Sequence, residues 1–130
     1  MPLSYSVDPT AGIVTISGDY AGVEEWMRLL TTIAVDPHCP RGCAYLRDLR
    51  DGTVPTDAAT VASVMESIGK AWQAVKPRRA AILTREEDRI TAQVTGALAD
   101  AQKLPIRAFT SYEDAMTWLR EAPPPPDEMS

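Results

Sequence analysis

Apolar and polar residues alternate over positions 3 to 8 and again over 12 to 17, with the turn formers Pro9 to Gly12 between them. A period of two on either side of a turn predicts a β-hairpin. After Gly18 the rhythm changes. Val23, Trp26, Met27, Leu30, Ile33 and Ala34 recur at helical spacing, which predicts one helix ending near Asp36 and Pro37. Ala44 to Leu49 then reads as a short strand, because Tyr45 and Leu46 are buried types and the turn residues Arg50, Asp51 and Gly52 follow.

The same alternation of rhythms repeats to the end of the chain. From Asp57 to Val75 the positions Val61, Val64, Met65, Ile68, Trp72 and Val75 mark a long helix, with Thr56 as its N-cap after Pro55. Arg79 to Leu83 is an apolar run of strand length. Thr84 and Glu87 have capping-box spacing and predict a third helix through Ile90, Val94 and Leu98. Pro105 to Phe109 is the last strand. Thr110 and Glu113 repeat the capping-box pattern ahead of a helix bearing Ala115, Trp118 and Leu119, which Pro123 to Pro126 terminate. A hairpin followed by alternating helices and strands predicts an α/β domain: a mixed five-stranded sheet with about four helices on its faces. The expected division is one domain over 1–122 and a Pro-rich acidic tail over 123–130. That tail reads as a stiff terminus or as a polyproline II ligand.

Composition narrows the function more than the fold. The chain has 130 residues, 45% of them hydrophobic and 24% charged, in the range of a domain that buries its own core. A net charge of −5 opposes general binding to nucleic acid or to an anionic membrane, both of which need a field of Lys and Arg. No apolar run reaches bilayer length, and Met-Pro-Leu-Ser-Tyr is unlike a signal peptide, so a cytoplasmic location is expected. Cys39 and Cys43 are too few for a disulfide framework and are expected as reduced thiols.

The opening strand pair Ser4 to Ser17, the strand ending Leu46-Arg47-Asp48-Leu49-Arg50, the strand Arg79 to Leu83, and the ending from Phe109 to Leu119 with its Ala115, Trp118 and Leu119 together resemble the SpoIIAA-like group of small domains, related to the STAS domains of anti-sigma-factor antagonists. The resemblance covers most of residues 3 to 121. It implies a SpoIIAA/STAS-like fold and a non-enzymatic protein-interaction or regulatory role. In the antagonist branch a Ser or Thr opening the helix after the third strand is phosphorylated, and the added charge disrupts docking onto a partner. Thr56 is the position that matches, and it sits in Pro55-Thr56-Asp57-Ala58-Ala59 where that branch has an Asp-Ser-Ser/Thr-Gly type motif.

In an open α/β sheet, ligands gather beyond the carboxyl ends of the strands. That edge should collect Asp48, Arg50, Asp51, Thr53, Thr56 and Arg85, together with Thr84, Thr110 and Ser111, as a ligand or partner surface. The plainer reading of the three threonines is that they cap helices. Asp51-Gly52-Thr53 has the look of a phosphatase first motif, but the nucleophile position is Leu49 and Asp48 points to the other face. His38, Cys39 and Cys43 could offer a metal or a redox pair, yet the Cys-x3-Cys spacing and the lack of a second cluster favour simple loop thiols. His38 lies at the amino edge of the sheet, which disfavours a Ser-His-Asp arrangement. Lys76-Pro77-Arg78-Arg79 is a basic cluster expected to solvate a turn, or to hold an acidic partner.

No catalytic residue, metal or cofactor is expected. The alternative function is a carrier or sensor of a small apolar ligand or lipid, using a pocket between helices and sheet. Chemistry through Asp48, Asp51 and Arg50 is a third. Trp26, Met27, Trp72 and Trp118 form helical stripes that read as core, with a ligand pocket or a homodimer interface as the other options.

Overall fold

After an opening hairpin, strands alternate with helical segments in the computed structural model. It describes residues 3–19, 22–39, 42–51, 59–60, 62–63, 66, 69, 78–91, 93–94, 97 and 105–121, with Val23 by its backbone only. Five strands, β1 (Ser4–Asp8), β2 (Ile13–Ser17), β3 (Ala44–Asp48), β4 (Ala80–Leu83) and β5 (Ile106–Phe109), form one sheet in chain order. β1 pairs antiparallel with β2, and β2 through β5 run parallel. The hairpin is closed by Asp8, whose Oδ1 accepts the N–H groups of Thr10 and Ala11 at 3.1 Å while its carbonyl accepts Gly12 N at 2.8 Å. Gly12 has a φ of +69°, a conformation that costs a side-chain-bearing residue about 1 kcal/mol or more.

Each parallel step needs a crossover. The first is α1 (Val23–Ala34), which starts at Gly22 without a side-chain cap and carries Glu24 and Glu25 in its first turn, where the helix dipole favours them. Its Trp26, Leu30 and Ile33 pack with Val14, Ile16, Cys43 and Tyr45 on one face of the sheet. Ala34, placed on the stripe by its spacing, is exposed because the helix ends there. The second whole helix, α2 (Tyr112–Arg120), follows β5 and buries Ala115, Met116 and Leu119 against Ile13, Ala44, Leu46, Ala81 and Leu83 on the opposite face. Neighbouring residues along β2 and β3 thus serve different cores, as a pleated strand requires.

Three helical elements stand whole among the described residues, α1, α2 and a 3-10 turn at Glu86–Asp88, against the four helices expected. Of the expected second helix, residues 59, 60, 62, 63, 66 and 69 are helical; Thr56 and Trp72 lie outside the described residues. The third begins as the 3-10 turn rather than at a Thr84 cap, and residues 89–91, 93, 94 and 97 are helical after it. Ile90 and Val94, expected on its buried stripe, are exposed. The tail over 123–130 lies outside the described residues. Among those described, no helix is long and apolar enough to cross a membrane.

Candidate functional site

The carboxyl ends of β3, β4 and β5 lie side by side because the ladder runs past the strands proper. Leu49 N donates to the Leu83 carbonyl at 2.8 Å, and Thr84 N donates to the Phe109 carbonyl at 3.0 Å. One edge therefore carries Asp48 to Asp51, Thr84 and Arg85, and Thr110 to Tyr112. Thr53 and Thr56, expected here as well, lie outside the described residues.

Asp48 and Arg50 are brought together tightly. The Arg50 guanidinium donates from Nε to Asp48 Oδ1 at 3.0 Å and from Nη2 to Oδ2 at 2.9 Å, a two-pronged pair. The Arg50 backbone N–H also donates to Oδ1, at 3.1 Å. Burial pushes the Asp48 carboxyl up, but the Arg50 side chain and backbone, with Arg47 behind them, outweigh it and hold the carboxyl below its ordinary value. Held in this way, Arg50 lies over the Tyr112 ring, 5.4 Å from its centroid. Asp51 follows on the exposed turn and adds to the field at Arg50. Arg85 instead turns along its own chain, to Asp88 Oδ2 at 3.1 Å and Glu87 Oε1 at 3.2 Å. It shares the edge but not the Asp48–Arg50 pair.

Two expected caps are displaced by one residue. Ser111, not Thr110, caps α2: its Oγ accepts Asp114 N at 3.3 Å. Arg85 occupies the N-cap position of the 3-10 turn without a side-chain capping bond, and Thr84 is fully buried with no hydrogen-bond partner for its Oγ1 among the described residues. Thr84 lines a small cleft of about 90 Å³ together with Arg89, Gln93, Ala108, Phe109 and Thr110.

Arg47 was not foreseen at this edge. It projects from β3 on the α1 face, donates to the carbonyls of Gly18 at 2.8 Å and Ile16 at 3.3 Å, and lies 5.8 Å from the Trp26 ring centroid. Burial draws it down to about 10, which leaves it charged at neutral pH, and its role is to finish the carboxyl end of β2. The available signal was a cation at a position whose strand parity points inward, next to Tyr45 and Leu46.

The remaining candidates sit elsewhere. His38 and the two cysteines lie between α1 and β3, at the opposite edge. There Asp36 accepts from Tyr5 Oη at 2.7 Å and from the His38 backbone N–H at 2.8 Å. Among the described residues, no three His, Cys, Asp or Glu side chains converge as metal ligands do. Of the basic cluster, Arg79 does more than face solvent: its guanidinium lies 4.3 Å from the Trp118 ring centroid and donates to the Trp118 carbonyl at 3.0 Å. Trp118 in turn meets Phe109 at 5.6 Å between ring centroids.

Chemically, the edge offers a pre-paired carboxylate and guanidinium, an exposed phenol ring and a second, self-paired arginine. Such an array presents fixed polar and aromatic contacts. Compared with family models, with curated proteins and with solved structures, the chain finds no match in any of the three.

Proposed function

We propose that this chain is a non-enzymatic protein-interaction module with a regulatory role, of the SpoIIAA/STAS-like type, working in the cytoplasm and docking its partner on the carboxyl edge of β3 to β5. One observation carries the reading: Arg50 is fixed by Asp48 and laid over the exposed ring of Tyr112. Arginine and tyrosine dominate the energetics of protein interfaces, and a side chain already held in place loses little freedom on docking. Asp48, with a lowered pKa and a full set of donors, is suited to fixing geometry and poorly suited to passing protons near neutral pH. The order hairpin, then parallel strands in chain sequence, then a helix packed through Ala115 and Leu119 supports the family reading. In that reading a phosphate on Thr56 is the switch, its added charge disrupting docking onto the partner.

The test is a native pull-down with wild-type chain, Arg50→Ala and Tyr112→Ala, followed by calorimetry with the purified partner. The expected result is a partner retained by wild type and bound at least tenfold more weakly by each variant, with thermal stability little changed. Equal binding by all three proteins would remove this edge as the docking surface, and turnover of a metabolite by the purified chain would remove the non-enzymatic reading.

A further inference from the structure

We propose that Cys39 and Cys43 form a reversible dithiol switch that closes an intramolecular disulfide between the exit of α1 and the start of β3. Their sulfur atoms lie 3.2 Å apart, about 1.2 Å from bonding distance, so closing the bridge requires only a small local adjustment. Both positions are anchored by the surrounding backbone. Cys39 N donates to the Asp36 carbonyl at 3.1 Å, and the Cys43 carbonyl accepts Arg78 N at 2.9 Å just before β3 begins. The two thiols differ in access, since Cys39 is half-buried while Cys43 sits within the core beneath α1.

That difference assigns the roles. The Cys39 thiolate attacks one sulfur of a low-molecular-weight disulfide; its S–S bond breaks, one thiol leaves, and Cys39 holds the other half as a mixed disulfide. Cys43 Sγ then attacks Cys39 Sγ, the mixed bond breaks, and the second thiol leaves with the proton that Cys43 gives up. Two thiols have lost two electrons and two protons, and the reagent has gained both. Burial, with the neighbouring Cys39 adding to it, pushes the Cys43 thiol up to about 12, so Cys43 stays protonated in the dithiol and the first attack falls to Cys39. A dithiol kept reduced by default and bridged under oxidation is the form that cytosolic disulfides take.

The experiment incubates the whole chain with glutathione disulfide, alkylates it with iodoacetamide, and reads intact mass and tryptic peptides. Cleavage after Arg41 separates the two cysteines. The expected product has lost two hydrogens, takes up no alkylating agent, yields the two peptides linked through Cys39 and Cys43, and is restored by dithiothreitol. Cys43→Ala is expected to hold a persistent glutathione adduct on Cys39, and Cys39→Ser to leave Cys43 unmodified over the same interval. A wild-type chain that keeps two alkylatable thiols, retains the adduct on Cys39, or links to a second chain would overturn the proposal, whether or not the variants fold.

Discussion

Asp36 and Asp48 both hold their protons less tightly than a free aspartate, for different reasons. At Asp36 the phenol of Tyr5 is the main cause and the His38 backbone N–H the next, while burial works against them. Tyr5→Phe is therefore expected to raise the Asp36 pKa toward 3.8, followed by its carboxyl carbon shift in an NMR titration. The same bond keeps Tyr5 protonated to higher pH, so its contribution is present below pH 10 and is lost as pH climbs through the raised folded value. At Asp48 burial is the largest influence and pushes the carboxyl up, and Arg50 reverses it. Arg50→Ala is expected to let the carboxyl rise, at a cost below about 1 kcal/mol at neutral pH because the pair is partly exposed. A lowered folded pKa gives stability that is present above the unfolded value and lost as pH falls through the folded one. The stability gap between Arg50→Ala and wild type should hold steady above about pH 5 and close as the solution is acidified, as urea titrations at several pH values would show. A gap independent of pH would mean that Arg50 acts through packing on Tyr112 rather than through Asp48.

At the scale of elements, helix starts were the hardest feature to read. Both capping-box matches, Thr84 with Glu87 and Thr110 with Glu113, point one residue too early. The parallel ladder explains the shift at Thr84, whose backbone N–H is still bound to the Phe109 carbonyl, so the chain leaves the sheet only at Arg85. At the second site Ser111 and Asp114 satisfy the helix where Thr110 and Glu113 were expected to. Ser111→Ala should therefore lower stability by about 1 kcal/mol in a denaturant titration, and Thr110→Ala should change it by a few tenths at most. The reverse order would restore the cap to Thr110. The strands themselves were legible to within a residue, because short runs such as Ala44 to Leu46 and Ala80 to Leu83 are apolar and give way to polar residues at Arg47 and Thr84. The candidate edge was legible in the same way, since its residues follow strand ends. What spacing alone could not show is pairing: that Asp48 and Arg50 neutralise each other, that Tyr112 lies beneath Arg50, and that Arg85 turns away to Asp88.

For the molecule as a whole, the pleat of β2 and β3 sorts the described core residues into two clusters with no member in common. Val14, Ile16 and Tyr45 meet Trp26, Leu30 and Ile33 of α1, whereas Ile13, Ala44 and Leu46 meet Ala115, Met116 and Leu119 of α2. Alternation in the sequence foretold a sheet with helices on its faces. It could not say which helix covers which face, because β4 and the first three residues of β3 are apolar on both sides of the sheet. The division has a thermodynamic signature. Ile13→Val, Ile16→Val and Ile33→Val each remove one buried methylene and should each cost about 0.5–1.5 kcal/mol. Ile13 and Ile33 lie on opposite sides of the sheet and, among the described residues, belong to separate clusters, so their losses should add to within about 0.5 kcal/mol in the double variant. Ile16 and Ile33 share one cluster, where relaxation around the first vacancy alters the second, so their double variant should depart from additivity by more than that. A stronger coupling across the sheet than within the α1 cluster would mean that the two faces respond as one core, and that the layer arrangement derived from strand parity fails.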